Sequence, residues 1–308
     1  MHHFVLARPH PIDDLRNVYH GLPTAGDYGV ATLKAVIFLA FIGLGWLTVN
    51  LLTTKLDDHV EMTRNGAFVT IRTGMLFGSV LAIYPPLNAR SNDTASDLWW
   101  LLGGAVYIIV VFNLIRPILD TLLYGRPQNA NQLRKASLAS AIIQAAFYLA
   151  CGWVINGSFS GSAPSLSTSI KAIGAFTLMG FATLFGAYLL IGRMHGMAKR
   201  VRLSRTSNNP NDGTAAALIL GAIIIGLGLM LHTAIAGDFT GWESGIIGFL
   251  VSIGVGIPVL VIVVRFVDRF ILGLTDIKTL VSNDERLPAI IMAVGILAVA
   301  TGFSAIVI

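Results

Sequence analysis

Charged residues make up only 12% of this 308-residue sequence, against 55% hydrophobic ones. A water-soluble fold would then have too little polar surface to cover its core, and the mean hydropathy of +0.74 puts lipid in that role instead. Cysteine is nearly absent. Cys151 stands alone, which excludes an internal disulfide, a thiolate zinc site and a Cys-x-x-Cys redox pair, and leaves it as small core filler. The sequence also lacks a phosphate-cradling glycine loop, a catalytic-triad spacing and any His-x-x-x-His pair, so no catalytic residue, metal site or cofactor is expected. His59, His195 and His232 read as interfacial residues, and Asp57, Asp58 and Glu61 as a solvated turn balancing Lys55 and Arg64. The net charge of +5 and pI near 9.5 would suit nucleic acid, but the basic residues lie between apolar segments rather than on one face, which excludes that partner. Met1 to Asp27 has no basic start leading into an apolar run, so the first helix is expected to be retained rather than cleaved as a signal peptide.

What the sequence holds in plenty is apolar runs of about 20 residues, the length that crosses a ~30 Å hydrocarbon layer. Eight are present, near 33–54, 65–84, 98–119, 137–156, 170–192, 213–235, 245–267 and 287–307. Each is about twice the length of a barrel strand and none alternates in and out, so the fold class is all-α: a polytopic membrane helical bundle with about eight transmembrane helices. Fifteen of the 21 lysines and arginines fall in or at the edges of the odd-numbered loops, five fall on the other side, and Arg72 lies within a span. The positive-inside rule then puts the odd loops in the cytoplasm and both termini on the outer side. Trp99, Trp100 and Trp242 would sit at the outer interface, and the serine-rich stretch from Gly157 to Ser169 reads as an uncharged external loop.

The two halves of the chain align with each other. Lys34 opens the first span as Lys171 opens the fifth, with Gly43 and Gly180 further on; Asn65-Gly66 with Gly74 matches Asp212-Gly213 with Gly221; the third and seventh spans end in Asp120 and Asp268. Four spans per half make the repeats parallel rather than inverted. The expected organisation is an extramembrane segment over 1–30, a first four-helix repeat over 31–160 and a second over 161–308.

The stretch Leu52-Thr53-Thr54-Lys55-Leu56-Asp57-Asp58, followed by Arg64-Asn65-Gly66-Ala67 and Gly74, resembles the bacterial inner-membrane family catalogued as domain of unknown function 350 (DUF350). So does the second half, where Asn211-Asp212-Gly213-Thr214-Ala215-Ala216-Ala217 leads into Gly221, Gly226 and Gly228, and Val267-Asp268-Arg269 closes the seventh span. The resemblance covers roughly residues 30 to 308 as two tandem copies and implies residence in the bacterial plasma membrane, but no activity. Two departures stand out: Arg72 interrupts the second span, and Asp212 occupies the place of an expected asparagine.

The polar residues within the spans are the candidate sites. Arg72, Asn113, Gln144 and Asn50 fall at similar depth in the first half, while their counterparts Ile219, Val261, Met292 and Ala187 are apolar. An ionisable residue inside a span costs ~2.5–3.5 kcal/mol on insertion scales. Arg72 is therefore expected to face the bundle interior, either bonded to those side chains or binding an anionic group. A proton relay is disfavoured, because arginine keeps its proton and no carboxylate is expected in that layer. Gly74, Gly78, Gly221 and Gly226 are expected to mediate close helix packing. Lys199, Arg200, Arg202 and Arg205, just past the fifth span, are expected to meet anionic phospholipid head groups or a partner. Together these features point to a non-enzymatic structural or accessory module that packs with other membrane subunits or with itself. The alternative is a channel or transporter for a small solute, ion or lipid, and a lipid-modifying membrane enzyme is a third class.

Overall fold

A computed structural model describes residues 25–53, 66–88, 94–124, 137–194, 196–204, 212–266, 269 and 277–306. Ten α-helices occur among them: α1 (Ala25–Thr53), α2 (Gly66–Asn88), α3 (Thr94–Tyr124), α4 (Leu138–Phe159), α5 (Leu166–Met194), α6 (Met197–Leu203), α7 (Thr214–Ile235), α8 (Trp242–Phe266), α9 (Ile277–Asn283) and α10 (Arg286–Ile306). Seven are long and apolar enough to cross a membrane, and the apolar Gly29–Gly45 portion of α1 supplies an eighth span. The chain is a multi-pass membrane protein with all-α architecture. Several helices outrun the hydropathy-defined spans. α1 starts eight residues and α3 ends five residues beyond the expected limits, because a helix continues through the interface after its side chains turn polar.

α2 packs along α4, α4 along α7, and α7 along α10, so the second and fourth spans of each half stand in one row. The middle pair is enclosed: 78% of the apolar window of α4 and 83% of that of α7 are buried inside the protein, against 22–39% for the other long spans. Lipid-facing helices surround this row. α1 and α3 pack on the α2 end, α8 lies against α7 and α10, and α5 crosses α4 and α7.

Glycine brings the row together. Any Cβ on Gly78 would run into the Tyr148 carbonyl, and one on Gly152 would run into the Gly78 backbone, so α2 and α4 touch main chain to main chain. Gly74 fits against Ala145, Gly228 against Ala150, and Gly157 against the His232 backbone. Such contact gathers dispersion and weak interhelical bonds where lipid gives no hydrophobic drive.

These contacts also fix the register of the repeat. Gly78 opposite Gly152 in the first half corresponds to Gly226 opposite Ala300 in the second, a shift of 148 residues. Matching Gly74 to Gly221 uses a shift of 147, one residue from that register and well within a helical turn. Gly74 meets Ala145 within its own half, whereas Gly221 meets Ile142 and Ala146 across the seam between halves.

Candidate functional site

Arg72 is buried on α2, its guanidinium carbon 4.2 Å from the centre of the Phe68 ring one turn earlier. It lines a cavity of about 30 Å³ between α1, α2 and α3, together with Phe41, Met75, Phe112 and Asn113. That volume holds about one or two waters. The Asn113 amide donates to the Ile109 carbonyl at 2.7 Å, one turn back on its own helix. Arg72 and Asn113 therefore share a cavity. Gln144 instead points at Asp120, donating to Oδ1 at 3.2 Å, and the Asn50 side chain lies outside the described residues.

Asp120 corrects the expectation that no carboxylate shares this layer. It is buried, bonded to Gln144, and 4.0 Å from Arg116 Nε one turn earlier on α3. Helical side chains lean toward their own N-terminus, and α3 and α4 run in opposite directions. Asp120 thus leans into the membrane while Gln144 leans out, and two residues of unequal nominal depth meet.

At the opposite end, Asn156 ties three helices together. Its amide donates to the Leu81 carbonyl of α2 at 2.7 Å, and its Oδ1 lies 2.8 Å from Nε2 of His232 on α7. The edge of Trp153 packs against the same imidazole, with ring centroids 5.2 Å apart. Neither Asn156 nor this bond was evident from the sequence, where His232 has no partner at helical spacing. Asn156→Leu should lower unfolding stability in detergent by about 1–2 kcal/mol, since it strands a helix carbonyl and an imidazole together. Urea titration with wild-type stability would show that the three groups are satisfied otherwise.

Beyond Asn156 the α4–α5 and α7–α8 connections lie side by side. The backbone N–H groups of Gly237 and Phe239 donate to the carbonyls of Ser160 (3.2 Å) and Ser162 (2.9 Å), and Asp238 Oδ1 accepts from the Ser162 N–H (2.8 Å) and hydroxyl (2.7 Å). A cavity of about 200 Å³ opens beside them, walled by α5 and the start of α8. The serine-rich loop, expected only as an uncharged connection, is one wall of this cavity. The signal available was the run of serines at 158, 160, 162, 165, 167 and 169.

The basic end is held by short helices that hydropathy does not detect. Arg200 on α6 pairs with Asp212 at 3.1 Å and donates to the Ser282 carbonyl at 3.3 Å, while Arg202 donates to the Leu122 carbonyl at 3.1 Å. Two of the four residues expected at lipid head groups thus tie α6 to α3 and α9; Lys199 is exposed, and Arg205 lies outside the described residues. Asp212 is explained by its arginine partner. Asp284 caps α7 across the bundle by accepting from the Ala215 N–H at 2.8 Å. Lys34 and Asp97, 3.4 Å apart and mostly buried, join α1 to α3. His59, His195, Asp57, Asp58, Glu61 and Asp268 lie outside the described residues.

The sequence matches the family model described as Domain of Unknown Function (DUF350) twice, over residues 19–159 and 165–307, the two halves of the row. The chain belongs to the DUF350 family. It is also similar to a UPF0719 transmembrane protein of Aquifex aeolicus (strain VF5), 24% identical over 190 residues that make up 61% of this chain; the match spans 65% of that relative. No solved structure matches. The tandem DUF350 copies account for the four-span period, and a family of unknown function brings no reaction with it.

Proposed function

We propose that this tandem DUF350 chain is a non-enzymatic membrane module that assembles with other membrane subunits or with its own copies. The observation that carries this reading is the seam between the halves. Parallel-repeat and inverted-repeat transporters place their substrate path at the repeat interface near the midplane, and here Gly221 against Ala146 and Gly228 against Ala150 fill that position. The small volume of the Arg72 cavity, about 30 Å³ among the described residues, supports the same reading. In this reading Arg72 with Asn113, and the Gln144–Asp120 pair, fix the packing of the first half, and the exposed Lys199 meets anionic lipid.

Orientation belongs to the same proposal, with the basic end in the cytoplasm of a bacterial plasma membrane. Single cysteines at Ser160 or Asp238 should react with an impermeant thiol reagent in intact cells, and those at Arg202 or Asn283 only after permeabilisation. Reaction of the Arg202 position from outside would refute the topology.

Reconstitution into vesicles tests the function. Ion and small-solute flux should match that of empty vesicles, while mild detergent extraction after cross-linking should recover the chain with a second subunit or as an oligomer. Saturable flux would favour the transporter alternative instead, and so would a lone monomer.

A further inference from the structure

The cavity of about 200 Å³ at the serine-rich end has a lining rich in serine hydroxyls. A hydroxyl carries one hydrogen and two lone pairs. Ser158 donates its hydrogen to the Val154 carbonyl (2.9 Å), Ser160 to that of Asn156 (2.8 Å), Ser169 to that of Ser165 (3.2 Å) and Ser244 to that of Gly241 (3.3 Å), while Ser162 donates to Asp238 (2.7 Å). Thr240 and Ser244 share a 2.9 Å contact in which either hydroxyl can be the donor. The five serine hydroxyls spend their hydrogens on the protein, so they present lone pairs to the cavity.

No lysine, arginine or histidine is part of the lining, and its one ionised group is the exposed Asp238 carboxylate at the rim. The Ser162 hydroxyl and N–H hold that carboxyl below the usual range and keep it charged. Lys171, next to the lining residue Ala172, is exposed, and Glu243 beside Ser244 adds a second negative charge nearby. Trp100, Phe159, Phe176 and Phe239 complete the wall with aromatic surface, which attracts cations.

We propose that this cavity binds a small ammonium group. An ammonium has three donors and no acceptor, matching the serine lone pairs of the wall. An anion would meet a carboxylate and no cation, and a neutral polyol needs donors as well as acceptors. The volume is below the roughly 300–1,000 Å³ of drug-sized sites, which limits the occupant to a group about the size of ethanolamine. A free amine and an ethanolamine lipid head group share this chemistry.

Titration of the purified full chain with ethanolamine, followed by calorimetry and tryptophan fluorescence, tests the assignment. Ethanolamine should bind saturably, and ethylene glycol, acetate and sodium should not. Asp238→Asn should weaken ethanolamine binding roughly tenfold, the loss of one charge-assisted contact. Ser244→Val, at an exposed position that can be changed without disturbing the fold, should weaken it several-fold and decides the matter if the first variant does not fold. In nanodiscs, weaker ethanolamine binding with phosphatidylethanolamine than with phosphatidylglycerol identifies the head group as the source, whereas equal binding identifies a free amine. Absence of saturable binding, equal binding of ethylene glycol or sodium, or indifference to both variants would overturn the proposal.

Discussion

Gly78→Leu should abolish folding of the chain, and Gly78→Ala should cost about 1–3 kcal/mol. The obstacle is main chain: a side chain at this position meets the Tyr148 carbonyl and the Leu149 amide, which cannot rotate away. Relief requires α2 and α4 to separate, and separation removes the Gly74–Ala145 and Gly152–Gly78 contacts along the same line. Gly103 and Gly174 are the controls, because open space surrounds each; alanine there should leave stability unchanged or slightly raised. Thermal unfolding in detergent of all four variants gives the comparison. If Gly78→Ala behaved like Gly103→Ala, the close approach of the two helices would be wrong.

Asp120→Leu should destabilise the first half by about 3 kcal/mol, because it leaves the Gln144 amide and the Arg116 guanidinium without their carboxylate in a low-dielectric setting. Asp120→Asn keeps an acceptor for Gln144 and loses only the charge, so its cost should be smaller. Adding Gln144→Leu to Asp120→Leu should recover part of the loss, since the stranded amide is then gone too, and a double-mutant cycle in urea reads that coupling directly. Additive effects would mean that the two side chains do not act together.

The fold was legible because bilayer thickness and backbone hydrogen bonding leave a long apolar run one outcome, and the repeat was legible because Lys34/Lys171 and Asn65-Gly66/Asp212-Gly213 recur in order. Register was legible to within one residue. Gly74 and Gly221 look alike in sequence, and only the partner across the helix, Ala145 or Ala146, distinguishes them. The polar layer was half legible for a related reason. Depth counted along each helix placed Arg72 with Asn113, but side-chain lean joined Gln144 to Asp120 instead. Asn156 with His232 and the hydroxyl-lined cavity depend on residues more than 70 positions apart, and no local pattern links them. The short helices α6 and α9 escaped notice because seven residues give hydropathy too little to average.

The closed centre of the row is the claim on which the proposed function rests, and the chain's single cysteine reports on it. Cys151 is fully buried on α4, between Ala150, which meets Gly228 across the seam, and Gly152, which meets Gly78. Reaction of native membranes with a small hydrophilic thiol reagent, read as mass added to the intact chain, measures whether water reaches that point. A sealed seam predicts no modification until the protein is unfolded in denaturant, whereas rapid modification in the native membrane would reveal an aqueous path and contradict the account.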